Sequence, residues 1–298
     1  MNTQDQRPRT GLLIVVAHGL EARALLERFD LRLIQPRPFR LYASASGLAL
    51  TISGMGKTAS AAATAHACAT LCREEDSLQM PGLLNYGIAG HGAAAVGTSF
   101  MVNRIMDAGS GRSYYPTLRA GLKASTALIT VDRPELEYPE AVAYDMEASG
   151  FWAAGSSMTE PDRIQIFKLI SDNPSQHASR LGKTELERVL SKAVEPAVAL
   201  ISELLQNNMD HIARHGLPGQ CHQVMQKLGL TQTQRHQFRK LFFRYSALGR
   251  QQQWQELIAS RREPRALIQR LTVELAADEA DCIGADSKSV NWPWGASE

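Results

Sequence analysis

The segment GLLIVVA, Gly11–Ala17, followed at once by the helical spacing of Leu20–Phe29, constrains the fold of this chain more than any other feature. A short apolar run rich in β-branched residues reads as a buried strand. Leu20–Phe29 then carries its apolar residues at the spacing of one helix face. The alternation recurs. Leu41–Ser46 and Leu48–Ser53 read as paired strands separated by Gly47, and Ala-rich Thr58–Leu71 as a helix whose small side chains pack close to a sheet. Leu83–Tyr86, Phe100–Ile105, Ala127–Val131, Ala141–Tyr144 and Ile164–Ile170 read as further strands, and Met146–Ala154 and Thr184–Leu205 as helices. Strands alternating with helices, with glycines at the strand ends, predict an α/β fold with a mixed central sheet flanked by helices. In such folds ligands gather at the carboxyl ends of the strands.

The character changes after Leu205. Asn207-Asn208, Gly216 and Pro218-Gly219 mark a junction, giving one domain over 1–205 and a second over 206–298. The second reads as a small all-α module: Cys221–Leu228, a helix N-capped by Thr231 and running to Tyr245, Trp254–Ala259 and Ala266–Ala276, with Asp281–Glu298 loose. The net charge of +2 conceals an asymmetry, because residues 206–275 hold eleven Lys/Arg against four Asp/Glu while residues 276–298 hold five acids and one lysine. Arg235, Arg239, Lys240 and Arg244 recur along one helix with Phe238, Phe242 and Phe243 between them. Such a face could follow a nucleic-acid backbone. The preferred reading is a solvated face on a small bundle, because no DNA-binding motif is recognised.

Other classes lose support on composition. A hydrophobic fraction of 44% and a charged fraction of 21% are those of an ordinary globular chain, and no stretch approaches the ~18–20 apolar residues of a membrane span. The polar start, Met1–Thr10, does not resemble a secretory signal, so a cytoplasmic location is expected. Cys68, Cys72, Cys221 and Cys282 read as reduced thiols. Cys68 and Cys72 are four apart on a helix, but no CxxC or matched histidine accompanies them, so no metal and no cofactor is expected.

Three acids stand where strands give way to helices: Glu21 past the first strand, Glu147 opening a helix, and Asp172 directly after Ile166–Ile170. Taken singly, each has an ordinary reading. Glu147 could complement a helix dipole, Ser171-Asp172 could cap a helix, and Glu21 could be a solvated helix residue. Their combination with two glycine-bearing turns that end strands, Ser53-Gly54-Met55-Gly56-Lys57 and Asn85-Tyr86-Gly87-Ile88-Ala89-Gly90, points to a shared cleft, since glycine lets backbone amides approach a ligand. Neither has the GxxxxGK[ST] spacing, and no GxGxxG opens a helix after a strand, so nucleoside-triphosphate and dinucleotide readings lose support.

With these residues in view, the segments VVAHGLEARALLERF, ISGMGKTASAAATA, LLNYGIAGHG, VAYDMEASGFWAA and IFKLISDNPSQ, in this order and spacing, resemble the nucleoside phosphorylase superfamily. They are most similar to its hydrolytic branch, the methylthioadenosine/S-adenosylhomocysteine nucleosidases. The resemblance spans roughly residues 11–205 and implies hydrolysis of the N-glycosidic bond of a purine nucleoside or 5′-substituted adenosine. It implies Asp172 as the acid on purine N7, Glu21 as the base for the attacking water, and Glu147 with Met146 as the holders of ribose. It also implies Ala89, Gly90, Val131 and Ser171 around the substrate, and a homodimer. Two alternatives stay open: a phosphate-dependent phosphorylase, which would want arginines near the nucleophile, and a non-catalytic nucleoside- or nucleic-acid-binding protein.

The sequence departs from the family in three places. No phenylalanine occupies the base-stacking position near Val131, where the chain reads Ile129-Thr130-Val131-Asp132-Arg133-Pro134, so a shortened flap and a more open base pocket are expected. His91 stands where the family commonly has glycine, and His18 lies beside Glu21. Asn173-Pro174 alters the loop that aims Asp172.

Overall fold

The computed structural model describes residues 9–72, 80–118, 124–177, 182–215, 219–259 and 263–286. The chain divides into two compact units, Met1–Arg214 and His215–Glu298. The junction expected after Leu205 is helix instead, because the helix Lys183–His215 runs straight through Asn207-Asn208. Asn208 is no breaker there: it is buried, and its Oδ1 accepts from Arg163 Nε at 3.2 Å.

In the first unit the strands are β1 (Leu12–Val16), β2 (Arg32–Gln35), β3 (Arg40–Ala43), β4 (Leu48–Ile52), β5 (Gly82–His91), β6 (Ser99–Asp107), β7 (Ser113–Tyr114), β8 (Ser125–Thr130), β9 (Ala143–Asp145) and β10 (Ile164–Asp172). The helices are α1 (Gly19–Arg28), α2 (Lys57–Leu71), α3 (Ala148–Gly155) and α4 (Lys183–His215). The strands form one mixed sheet in the order β10-β6-β8-β9-β5-β1-β4-β3-β2, with β7 on β6. Strand β10 also pairs with β5, so β5, β10, β6, β8 and β9 close on themselves. The β1 run is apolar throughout because both its faces are covered. Leu13 and Val15 join a core with Ala67 of α2 and Phe151 of α3, while Leu12, Ile14 and Val16 join another with Leu25 of α1 and Leu200 of α4. Strand β2 escapes a reading by pattern because it is a half-exposed edge without apolar alternation.

A second expectation is corrected here. The segment Gly87-Ile88-Ala89-Gly90 is not a turn ending a strand but the interior of the ten-residue β5. Its glycines serve close approach. A Cβ on Gly87 would lie 2.8 Å from Glu21 Oε1, and one on Gly90 would lie 2.7 Å from Asp172 Oδ2 and 2.6 Å from the Tyr138 ring.

The second unit comprises α5 (Gly219–Lys227), α6 (Gln232–Ala247), α7 (Gln251–Ala259) and α8 (Pro264–Asp286). Met225, Leu230, Phe238, Leu241, Tyr245, Trp254, Leu257, Leu267 and Leu271 bury one another in a core of its own. Thr231 caps α6 as its sequence suggests, exchanging hydrogen bonds with Gln234. Residues 281–286, expected to be loose, extend α8; the rest of that tail lies outside the described residues. Among the described residues no helix is long and apolar enough to cross a membrane.

Candidate active site

A cavity of about 310 Å³ opens at the carboxyl ends of β1, β5, β9 and β10. All eight residues singled out as site residues line it: Glu21, Ala89, Gly90, Val131, Met146, Glu147, Ser171 and Asp172.

Glu21 sits in the first turn of α1 and is buried. Its Oε2 accepts from the Ala17 and His18 amides at 2.9 and 2.8 Å, and its Oε1 from the Ile88 amide at 3.0 Å. His18 returns the cap by accepting from Leu20 N at 3.1 Å, so this histidine and Glu21 together close the N-terminus of α1. A carboxylate offers about four acceptor positions, and three are filled by backbone; one remains for a ligand or water. Burial raises the pKa of Glu21 above its ordinary value of 4.5, although the Ile88 amide and Lys168 pull the other way.

Glu147 is the N-cap residue of α3, and its side chain turns away from that helix end. Oε1 accepts from the Gly56 amide at 2.8 Å and Oε2 from Met146 N at 3.3 Å. Gly56 reaches it from a backbone with φ 97°, a conformation that glycine adopts without strain. Burial raises the pKa of Glu147, and the neighbouring Asp145 adds to the rise. The two glutamates thus resist charge for the same first reason, removal from water.

Asp172 ends β10. Its Oδ1 accepts from the Ser171 hydroxyl and its Oδ2 from the Tyr138 hydroxyl. The loop beyond it is tied down in turn. Asn173 Nδ2 donates to Ala94 O at 2.9 Å, and Asn173 Oδ1 accepts from the Ser175 and Gln176 amides at 3.0 and 2.9 Å. Asn173-Pro174 therefore forms a braced turn after the acid.

Sequence reasoning missed three residues. The first is Lys168, whose side chain is 1% exposed and whose Nζ lies 2.8 Å from Asp145 Oδ2. Burial alone would lower its pKa, but Asp145, Glu147 and Glu21 together outweigh that and raise it, so the lysine is held charged. The signal was present: a lysine in the middle of the apolar strand IQIFKLIS is unaffordable without an anion. The second is Asp145, which also accepts from Thr130 Oγ1 at 2.8 Å and Ala148 N at 2.9 Å, fixing the start of α3. The third is Tyr138. It lies buried against Tyr144 and His177, with ring centroids 6.1 and 6.0 Å away, and holds a left-handed φ of 51°. A non-glycine residue held there costs of order 1–3 kcal/mol and persists only where its surroundings impose it.

Other candidates fall away. The ring of His91 accepts from the Ala93 and Ala94 amides, both at 2.9 Å, and meets Thr126, which makes it a turn cap. Arg133, in the loop after Val131, is exposed and outside the cavity. Cys68 is a buried thiol outside any disulfide, and among the described residues no group of three or more His, Cys, Asp or Glu could hold a metal ion.

No protein-family model matches the chain, and no curated protein matches it in sequence. Solved structures do. The apo 5′-methylthioadenosine nucleosidase of Arabidopsis thaliana superposes with a TM-score of 0.53 at 16% identity, over 66% of this chain and 97% of that one. This chain has the nucleosidase fold. The 5′-methylthioadenosine/S-adenosylhomocysteine nucleosidase of Helicobacter pylori, solved with butyl-thio-DADMe-immucillin-A, gives 0.53 at 12% identity over 65% and 98%. That of Neisseria meningitidis, solved with methylthio-immucillin-A, gives 0.50 at 18% over 67% and 100%. At such identities the nucleosidase fold is what is shared.

Proposed function

We propose that the first unit hydrolyses the N-glycosidic bond of a purine nucleoside or 5′-substituted adenosine. The observation that carries this reading is the charge of the cavity. Glu21, Glu135, Asp145, Glu147 and Asp172 line it, and among the described lining residues there is no arginine or lysine. A phosphate nucleophile would meet carboxylates without a cation to bind it. Water has no such difficulty, and a carboxylate is the base it needs.

In this reading Asp172, oriented by Ser171 and Tyr138, carries a proton to purine N7 as the bond from C1′ to N9 breaks and its electron pair goes to the base. The base then leaves neutral. Glu147 accepts from the ribose hydroxyls, with Met146 against the sugar. Glu21 takes the proton from a water whose oxygen bonds to C1′. Ala89, Gly90, Val131 and Ser171 shape the walls. Lys168 holds Asp145 in place behind them and stops the cluster of acids from repelling itself apart.

Thio-substituted nucleosides are the first substrates to try, since two of the solved neighbours are held with thio-substituted immucillins. The homodimer belongs to the same proposal: Met55, beside the cavity, is 72% exposed, a surface that a second copy would cover. The test is incubation with methylthioadenosine, S-adenosylhomocysteine, adenosine and inosine in phosphate-free buffer, followed by chromatography for free base. Base release supports the proposal. No release from any of them removes it, and release only on adding phosphate transfers the chain to the phosphorylases.

A further inference from the structure

From His211 to Gln255 the chain contains seven Lys/Arg, four His and no Asp or Glu, although acids make up about one residue in ten of the whole (30 of 298). This acid-free run includes all of α5 and α6. The two helices are joined by Leu228–Thr231, where Gly229 takes a left-handed φ of 57° and Thr231 caps the second helix. Met225, Leu230, Phe238, Leu241 and Tyr245 turn into the unit's core. On a different side of α6, Thr233, Gln237, Lys240 and Arg244 form an exposed stripe at spacings of four, three and four, with His236 exposed beside it. A helix, a short glycine turn and a second helix that presents a polar outer face have the organisation of a helix-turn-helix.

The residue types on that stripe are those that hydrogen-bond base edges and phosphates: Gln and Thr to bases, Lys and Arg to guanine or phosphate. The aromatic residues of α6 are engaged elsewhere. Phe238 and Phe242 pack against Trp254 in a tilted and an edge-on contact, with centroids 4.8 and 5.4 Å apart, at the core. They therefore do not form the exposed stacking platform that single-stranded nucleic acid requires. Charge without a stacking surface fits a duplex.

We propose that the second unit binds duplex DNA, with α6 in the major groove and Thr233, Gln237, Lys240 and Arg244 toward the DNA. This surface is independent of the nucleoside cavity, and its test does not depend on turnover.

The experiment is fluorescence anisotropy of a labelled mixed-sequence DNA duplex titrated with the full chain across a salt series. With Lys240 and Arg244 each neutralising one phosphate, log K falls with log salt at a slope of about −1.8, or about 12-fold weaker binding from 50 to 200 mM salt. The double variant Lys240→Gln/Arg244→Gln should flatten the slope by about 1.8. The charge-matched control Arg265→Gln/Arg270→Gln, on exposed positions of α8, should leave it unchanged. Circular dichroism confirms that the variants fold, and Lys240→Gln alone replaces the double variant if that one melts early. No binding at 50 mM salt overturns the proposal. So do tighter binding to a single-stranded RNA of the same length, or an equal response of the α6 and α8 variants.

Discussion

Replacing Lys168 with methionine removes the cation from the acids beneath the cavity while nearly preserving side-chain length. In the parent, Lys168 and Asp145 meet at 2.8 Å with 1% and 0% of their side chains exposed. The variant leaves Asp145 its bonds from Thr130 and Ala148 but no counter-charge, and leaves Glu147 and Glu21 without the attraction that offset their burial. Breaking one partner of a buried ion pair costs about 3–5 kcal/mol. For a unit of this size that corresponds to a fall in Tm of roughly 6–20 °C. The sign of the pH dependence follows from protonation. The pKa of Lys168 is raised in the folded state, so its contribution is fully present below the ordinary 10.5 and is lost only when pH rises through the folded value. In the variant Glu21 and Glu147, whose pKa values burial already raises, lose the cation that pulled them down and protonate more readily, so the deficit shrinks as pH falls from about 8 to about 5. Adding Asp145→Asn should recover much of the loss, because it removes the stranded charge. Thermal unfolding followed by circular dichroism across that range measures all three quantities. A deficit under about 1 kcal/mol, or one that is the same at both ends of the range, would show that Lys168 does not offset the buried acids.

Three further outcomes are expected. Asp172→Asn should lower kcat by about 10²–10⁴-fold at unchanged fold, read by steady-state kinetics with circular dichroism alongside; activity within a few-fold of the parent would contradict the assigned proton donor. Tyr138→Phe deletes only the hydroxyl on Asp172 Oδ2, so kcat should fall roughly ten- to hundredfold with KM little changed, whereas a purely structural tyrosine would shift Tm and leave kcat alone. The acidic limb of the kcat/KM–pH profile should lie above 4.5, because burial raises the pKa of Glu21 and the base must be ionised to act; activity falls as pH drops through that raised value, and a limb below 4.5 would assign it to another group.

The sequence made local structure legible where the chemistry was local. Leu12–Val16 declares a buried strand by its own residues, and Thr231 declares a helix start by its hydroxyl. The segment Gly87–Gly90 misleads because glycine at a strand end and glycine under a side chain look alike in one dimension. Only the approach of Glu21 and Asp172 from other elements makes the second case. The same holds for the site. Glu21, Glu147 and Asp172 stand out at strand-to-helix switches and do converge on one cavity. Tyr138 does not stand out, because its partner is Asp172, far along the chain, and its loop has no periodicity to reveal burial. Lys168 could have been found by asking what neutralises a lysine inside an apolar strand. The answer, Asp145, is supplied by a neighbouring part of the closed sheet.

Under the proposed hydrolysis, water and not phosphate attacks the glycosidic bond in this cavity. Turnover of methylthioadenosine in heavy-oxygen water, with phosphate present, distinguishes the two nucleophiles by mass spectrometry of the sugar product. The prediction is a free sugar carrying the heavy oxygen at C1, with the signal lost in Glu21→Gln and Asp172→Asn. A sugar 1-phosphate without the label, or no product from the intact chain, would contradict it.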